Sequence, residues 1–170
     1  VCFTDANNGT AVGADYDTST GIILRTTDGG TTWVSKYHGT DIGFQAVSFI
    51  DANAGTAVGS GAIVRTTDGG NTWTEQASGT PNLLQAVSFI DTNNGIAVSS
   101  YAEIIKTTDG GTTWEFQTTP GPNTDDFRAA SFTTPLTGTV VGLVGSILRT
   151  SDGGQTWLDQ VSGITSDLWA

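Results

Sequence analysis

Thr26-Thr27-Asp28-Gly29-Gly30-Thr31-Thr32-Trp33 is written four times along this chain. It returns as Thr66-Thr67-Asp68-Gly69-Gly70-Asn71-Thr72-Trp73, as Thr107-Thr108-Asp109-Gly110-Gly111-Thr112-Thr113-Trp114, and as Thr150-Ser151-Asp152-Gly153-Gly154-Gln155-Thr156-Trp157. The copies lie roughly 40 to 43 residues apart, inside the span that marks propellers and other repeat arrays. An Asp-Gly-Gly run between two β-rich segments reads as a hairpin turn. Asp bonds the backbone two residues on, and Gly takes positive φ without steric cost. A carboxylate buried in such a turn accepts several backbone N–H groups, and losing one partner costs about 1–3 kcal/mol. The threonines ahead of the Asp and the Trp add hydroxyl braces. Trp33, Trp73, Trp114 and Trp157 then anchor the outgoing strands in the core, where truncation to Ala costs roughly 3–5 kcal/mol. Four copies of one turn argue for bracing, so Asp28, Asp68, Asp109 and Asp152 are expected to be structural, with no catalytic or metal role.

Alignment on this turn divides a single unit, 1–170, into repeats Val1–Ala46, Val47–Ala86, Val87–Ala129 and Ala130–Ala170. Each reads as four short strands, a to d. In the second repeat these are Val47-Ser48-Phe49-Ile50, Thr56-Ala57-Val58-Gly59, Ala62-Ile63-Val64-Arg65-Thr66 and Thr72-Trp73-Thr74-Glu75-Gln76. No segment carries helical periodicity over ten or more residues. The expected fold is all-β, a propeller or propeller portion of four four-stranded antiparallel blades, with the Asp turns between strands c and d. The up-down order places the a–b and c–d turns at one end and the b–c and d–a connections at the other. The first set barely varies and reads as structural. The second set varies, and variable loops on a fixed scaffold are where recognition sits.

All four copies match Ser/Thr-x-Asp-x-Gly-x-Thr-Trp, the pattern of the Asp-box, or bacterial neuraminidase repeat. The phrase Gln85-Ala86-Val87-Ser88-Phe89-Ile90-Asp91, then a glycine with Ala-Val, then Ile-x-Arg/Lys-Thr, resembles the photosystem II stability and assembly factor group, the Ycf48-like repeats. The resemblance covers essentially the whole chain and implies a β-propeller. Asp-box propellers include sialidases, xyloglucan hydrolases, sorting receptors and non-catalytic scaffolds, so the fold does not choose the function. Ycf48-like rings generally have more than four blades. An end blade without a neighbour exposes apolar surface, and such edges invite pairing. The chain is therefore expected to belong to a longer propeller or to an assembly of copies joined through end blades, in preference to a self-sufficient four-bladed ring.

Composition narrows the partners. There are 17 acidic residues against 6 Lys and Arg, a formal charge of −11, which disfavours nucleic acid and anionic membrane surfaces. The single cysteine, Cys2, cannot form an intrachain disulfide and aligns with Ser48, Ser88 and Ser131 as a small strand residue. No apolar run is long enough to span a membrane, and no signal peptide is visible. The acidic balance fits an extracellular or exported protein.

A sialidase needs converging arginines, yet Arg25, Arg65, Lys106 and Arg149 share one strand-c position of the repeat, and only Lys36 and Arg128 stand apart. A glycoside hydrolase of the xyloglucanase kind needs two carboxylates facing across a sugar. Asp15, Asp17, Asp41, Glu103, Asp125 and Asp126 lie in loops at the variable end and make this the enzymatic alternative. Asp15-Tyr16-Asp17 and Asp125-Asp126 also offer oxygen ligands for structural calcium, without an ordered calcium-loop pattern. His38 has no second histidine or cysteine beside it, so zinc is not expected, and neither is any other cofactor. Binding to a protein or carbohydrate is the remaining chemistry, with aromatic anchors rimmed by polar groups. Tyr16, Tyr37, Tyr101 and Trp169 are the aromatic candidates, while Phe44 and Phe127 align with Leu84 and Leu168 and read as core. Asp15, Asp17, His38 and Glu103 complete the candidate partner surface with Asp125 and Asp126. The reading is a non-catalytic exported or cell-surface scaffold that meets its partner on the b–c and d–a loops. A structural subunit of a surface layer or fibre is the third class.

Overall fold

The computed structural model of the chain describes residues 1–15, 17–40, 43–120 and 126–169, so Tyr16, Asp41, Asp125 and Ala170 lie outside the described residues. The first sheet holds β1 (Cys2–Phe3), β2 (Gly9–Asp15), β3 (Thr20–Thr26) and β4 (Val34–Thr40), and the second holds β5 (Phe44–Phe49), β6 (Gly55–Gly59), β7 (Ala62–Thr66) and β8 (Thr74–Ala77). The third holds β9 (Leu84–Phe89), β10 (Gly95–Ser99), β11 (Ile104–Thr107) and β12 (Glu115–Phe116). The fourth holds β13 (Phe127–Phe132), β14 (Gly138–Gly142), β15 (Ile147–Thr150) and β16 (Leu158–Asp159). Within each sheet the strands lie side by side in chain order, all antiparallel. These are four propeller blades in an unclosed arc. Strands β5, β9 and β13 open at Phe44, Leu84 and Phe127, three residues ahead of Val47, Val87 and Ala130, so the repeat frame cuts through the first strand of each blade.

The core lies between blades. Val58 and Ile63 of the second blade pack on Leu84, Ala97, Ile105 and Trp114 of the third. Their neighbours Ala57 and Val64 point the other way, onto Ile23 of the first blade. The same arrangement joins Ile96 and Ile104 of the third blade to Val140, Leu148 and Trp157 of the fourth. Alternation along each strand thus feeds two different interfaces.

The Trp that ends each Asp turn is fixed by a phenylalanine from strand a of its own blade. Phe3–Trp33, Phe49–Trp73, Phe89–Trp114 and Phe132–Trp157 meet edge to face with ring centroids 6.1, 6.0, 6.0 and 6.3 Å apart. The ring lies over the glycine that opens strand b. A Cβ on Gly55 would come within 2.6 Å of the Phe49 ring, and on Gly138 within 2.6 Å of Phe132.

The Asp turns are closed rings of hydrogen bonds. Asp68 Oδ1 accepts the Thr66 hydroxyl at 2.8 Å and the Thr72 amide at 2.9 Å, and Oδ2 accepts the Thr72 hydroxyl at 2.7 Å. Asp28, Asp109 and Asp152 repeat these bonds. Against expectation these carboxylates are not buried: Asp28, Asp68 and Asp109 are exposed and Asp152 is half-buried, because their partners lie in their own surface turn. The hydroxyl and amide of the threonine before Trp hold each of the four at a pKa of about 2. The a–b turn joins the ring. The first turn glycine donates its N–H to that turn in every blade: Gly29 to Asn7, Gly69 to Asn53, Gly110 to Asn93 and Gly153 to Leu136. Asp5, Asp51 and Asp91 cap the a–b turns, and Thr134 takes that place in the fourth blade, where its hydroxyl accepts the Leu136 and Thr137 amides.

The strand-c cations link blade to blade at this end. Arg25 Nη1 donates to Asn71 Oδ1 at 2.8 Å and Arg65 Nη2 donates to the Thr92 carbonyl at 3.2 Å, each on the next blade.

Gly55→Ala is expected to destabilise the fold by about 1–3 kcal/mol through overpacking against the Phe49 ring. In urea unfolding, the added Phe49→Leu change should recover part of that loss, and simple additivity of the two would contradict the ring–glycine lock. Acid should also weaken the fold. Carboxylates whose folded pKa lies below 3.8 contribute stability that is complete above that value and lost as pH falls toward 2. The urea midpoint should therefore drop between about pH 4 and pH 2, less steeply in Asp68→Asn. A midpoint flat across that window would contradict the bonding of the Asp turns.

Candidate functional site

At the opposite end, the b–c hairpins of the third and fourth blades depart from ordinary turn geometry. Tyr101 and Ala102 both take left-handed backbone, with φ of 67° and 59°. Val144 and Gly145 do the same at 54° and 74°. Two consecutive left-handed residues make a tight hairpin turn, for which Asn-Gly is the usual choice. A non-glycine residue there costs roughly 1–2 kcal/mol, so each turn needs an outside hold. Asp126, arriving from the d–a connection, accepts the Tyr101 amide at 3.0 Å, and Asp167 accepts the Val144 amide at 3.1 Å. The result presents Tyr101 at 71% exposure and Val144 at 53%.

Between these two turns lies Arg128, the second residue of β13. It donates to Asp126 Oδ2 at 3.0 Å, and its guanidinium carbon lies 5.0 Å from the centre of the Trp169 ring, which is itself 66% exposed. One cation is thus held between a carboxylate and an aromatic face. Tyr101, Asp126, Arg128 and Trp169 form one surface across the junction of the last two blades. Arg128 was legible as one of two basic residues off the repeat position, but its use in this cluster was not. Asp167 and Val144 were missed. The available signal was Asp126-Phe127-Arg128 aligning with Asp167-Leu168-Trp169.

The other expected residues fall elsewhere. Asp15 ends β2, and the Thr18 hydroxyl and the Asp17 amide hold it below its ordinary pKa, so it caps its own loop with Asp17 exposed beside it. His38 is not in a loop: β4 runs through it to Thr40, and its Nε2 lies 2.6 Å from Ser35 Oγ on the same strand. Glu103 is fastened within the second and third blades, where it accepts from Thr80, Asn82 and Ser99 at 2.9, 2.8 and 2.7 Å. Tyr37 is half-buried against the core, edge to face with Phe44, donating to Glu75 at 2.6 Å. Burial and then that bond raise its pKa to about 12. Tyr16 and Asp125, the remaining candidates, lie outside the described residues. Phe44 and Phe127 are buried, as the alignment implied. Among the described residues no group of three or more His, Cys, Asp and Glu is placed to hold a metal ion, and no helix is long and apolar enough to cross a membrane.

Known proteins share this architecture. A solved structure of YCF48 bound to D1 peptide is 20% identical, with a TM-score of 0.57 over 99% of this chain and 84% of that one. YCF48 from Cyanidioschyzon merolae is 19% identical, with a TM-score of 0.70 over 89% of this chain and 55% of that one. A GH74 enzyme from Niastella koreensis is 22% identical, with a TM-score of 0.70 over 91% of this chain, which spans only 28% of that enzyme. At these identities the likeness is one of fold. No curated protein matches the chain. The family model for photosynthesis system II assembly factor YCF48 matches residues 75–162, more than half of the sequence, and the chain belongs to that family.

Proposed function

We propose that the chain is a non-catalytic binding scaffold that takes an extended segment of a protein partner across the loop end of its third and fourth blades. The observation that carries this reading is Tyr101, held in left-handed backbone by Asp126 while its ring stands in solvent. Strain fixed by its surroundings at an exposed aromatic is a mark of a functional surface. Trp169, stacked on Arg128, supplies a second anchor, and Val144 lies between solvent and the same end. Aromatic and arginine anchors are what peptide hot spots use. Membership of an assembly-factor family, and the peptide named with one YCF48 structure, favour a protein partner over a glycan. Of the loop carboxylates proposed for glycoside hydrolysis, Glu103 and Asp126 are already engaged by neighbours, which favours binding over sugar chemistry. An exported or cell-surface setting belongs to the same reading and rests on the acidic balance of the chain. The reading requires no cofactor.

Fluorescence anisotropy with labelled peptides, the D1 peptide among them, tests the proposal. Trp169→Ala should weaken binding at least about tenfold, as loss of a hot-spot anchor does. Tyr101→Gly should weaken it similarly while leaving thermal stability unchanged or higher by up to about 1 kcal/mol, since glycine relieves the left-handed strain. Peptide affinity indifferent to both changes would sink the reading. Release of sugar from xyloglucan that is lost on Asp15→Asn or Asp17→Asn would turn it to the glycoside hydrolase.

A further inference from the structure

The outer strands of the four blades differ in charge. β8 carries Glu75, β12 carries Glu115 and β16 carries Asp159, whereas β4, which reads Val34-Ser35-Lys36-Tyr37-His38-Gly39-Thr40, has no carboxylate. Its lysine is one of 6 Lys and Arg set against 17 Asp and Glu. Cations so outnumbered are expected to be paired. Among the described residues, however, the one ion pair is Arg128 with Asp126. Glu75, on the neighbouring outer strand, accepts the Tyr37 hydroxyl at 2.6 Å instead.

Lys36 stands beside Arg25. A cleft of about 120 Å³ opens between the first two blades at the Asp-turn end, lined by Arg25, Thr27, Thr32, Val34, Lys36 and Asn71. Arg25 is oriented by neutral groups: Nη1 donates to Asn71 Oδ1 at 2.8 Å and Nη2 to Asn8 Oδ1 at 3.2 Å. A guanidinium has further N–H groups to give. The Asn7 amide and the bonds from Asn8, more than the charge of Arg25, hold Asp5 below its ordinary pKa, so Asp5 does little to neutralise the arginine. The Lys36 ammonium, on a half-buried side chain, pairs with no described carboxylate.

The same six positions of the repeat line a second cleft, of about 290 Å³, at the junction of the third and fourth blades: Lys106, Thr108, Thr113, Glu115, Gln117 and Gln155. Alignment on the Asp turns puts Glu115 in the place of Val34, and Gln117 in the place of Lys36. Lys106 there has Glu115 opposite it across the β11–β12 pair. The second cleft is thus balanced in charge, and the first holds two positive charges. At the middle junction the aligned residues are Arg65 and Gln76, and Arg65 is taken up by the Thr92 carbonyl and the face of the Phe89 ring.

Two cations without a counter-charge in one cleft make a site for an anion. Its size selects a small group, since 120 Å³ is well below the roughly 300–1,000 Å³ of pockets that take whole ligands. The guanidinium fork suits a carboxylate, and the ammonium adds a point charge beside it. Val34, 57% exposed, forms an apolar wall that an aliphatic stem would cover and a bare inorganic ion would not. We infer that this cleft takes the carboxylate of a glutamate side chain from a protein partner, with Arg25 and Lys36 on its oxygens and Val34 against its methylene groups. The site lies at the opposite end of the blades from Tyr101 and Arg128 and does not depend on the reading of that surface. The scaffold then has two separate contacts, one at each end.

Nuclear magnetic resonance of the isotope-labelled chain, titrated with the blocked peptide Gly-Gly-Glu-Gly-Gly, tests the assignment. The amide signals of Thr27, Lys36 and Asn71 should move, and those of Thr108, Gln117 and Gln155 should stay. The twin peptide with Gln in place of Glu should leave both sets unmoved. Lys36→Gln and Arg25→Gln should each weaken the response by about threefold or more, and Lys36→Arg should retain it. Val34→Glu, which copies the balanced cleft, should abolish it. Trp169→Ala should leave it unchanged, so this site and the loop-end surface stand or fall separately. Circular dichroism of each variant confirms the β fold. Signals that ignore the Glu peptide, or that follow the Gln peptide equally, would overturn the proposal. A folded Lys36→Gln chain with an undiminished response would overturn it too. Inorganic phosphate acting at lower concentration than the peptide would overturn the side-chain assignment and leave a site for a free anion.

Discussion

No blade here has a core of its own. A four-stranded sheet with apolar residues on both faces, such as Ala57 and Val64 on one side and Val58 and Ile63 on the other, can be buried only between two other sheets. That constraint shapes the arc. The first strands of neighbouring blades, β5 against β9 and β9 against β13, pack directly on one another. They carry Ala46, Ala86, Ala129 and Ala130, small enough for close approach. Farther out the blades diverge, and the widening gap is filled by Trp114 and Trp157 at the entry to the fourth strand. Size along a blade follows from the wedge it must fill.

The turn chemistry that produces the wedge was the most legible part of the sequence. Asp-Gly-Gly between β-rich runs specifies a hairpin through local bonds alone, so it could be read without knowing what lay nearby. Its environment could not. The carboxylates were expected to be buried, yet bonds confined to one surface turn need no burial. The glycine opening each second strand was equally visible as a repeated letter. Its cause, the ring of Phe49 over Gly55 or of Phe89 over Gly95, depends on the register of two strands, which spacing does not supply. The early start of β5, β9 and β13 has a similar origin: Phe44, Leu84 and Phe127 are strand residues because they are buried between blades.

The loop end was legible by location and not by membership. Variation among repeats marked the b–c and d–a connections, and the cluster does lie there. Which residues compose it depends on contacts between blades. Asp126 holds a turn of the preceding blade, so its role belongs to the pair of blades, and the repeat alone does not show it. Glu103 looked free as a loop carboxylate but is a buckle between Thr80 and Asn82. His38 looked like loop because strand d of the first blade is longer than its counterparts, seven residues against four in the second.

The two ends of the sheet differ in how their carboxylates are used, and the difference bears on chemistry. A general acid or base at neutral pH needs a pKa near the working pH and an open position for the proton. The four turn aspartates have neither. Each carboxylate accepts three hydrogen bonds from two threonines, Asp68 and Asp152 accept a fourth from the Asn71 and Gln155 amides, and the pKa of about 2 is the thermodynamic image of those bonds. The same bonding that makes this end rigid holds these four carboxylates ionised far below neutral pH. At the far end the carboxylates of Asp126 and Asp167 are occupied too, but in holding Tyr101 and Val144 in a conformation that neither would adopt alone. There the hydrogen bonds go to backbone amides of residues whose own side chains stand in solvent, where the turn aspartates bond the hydroxyls and amide of their own turn and hold that turn closed.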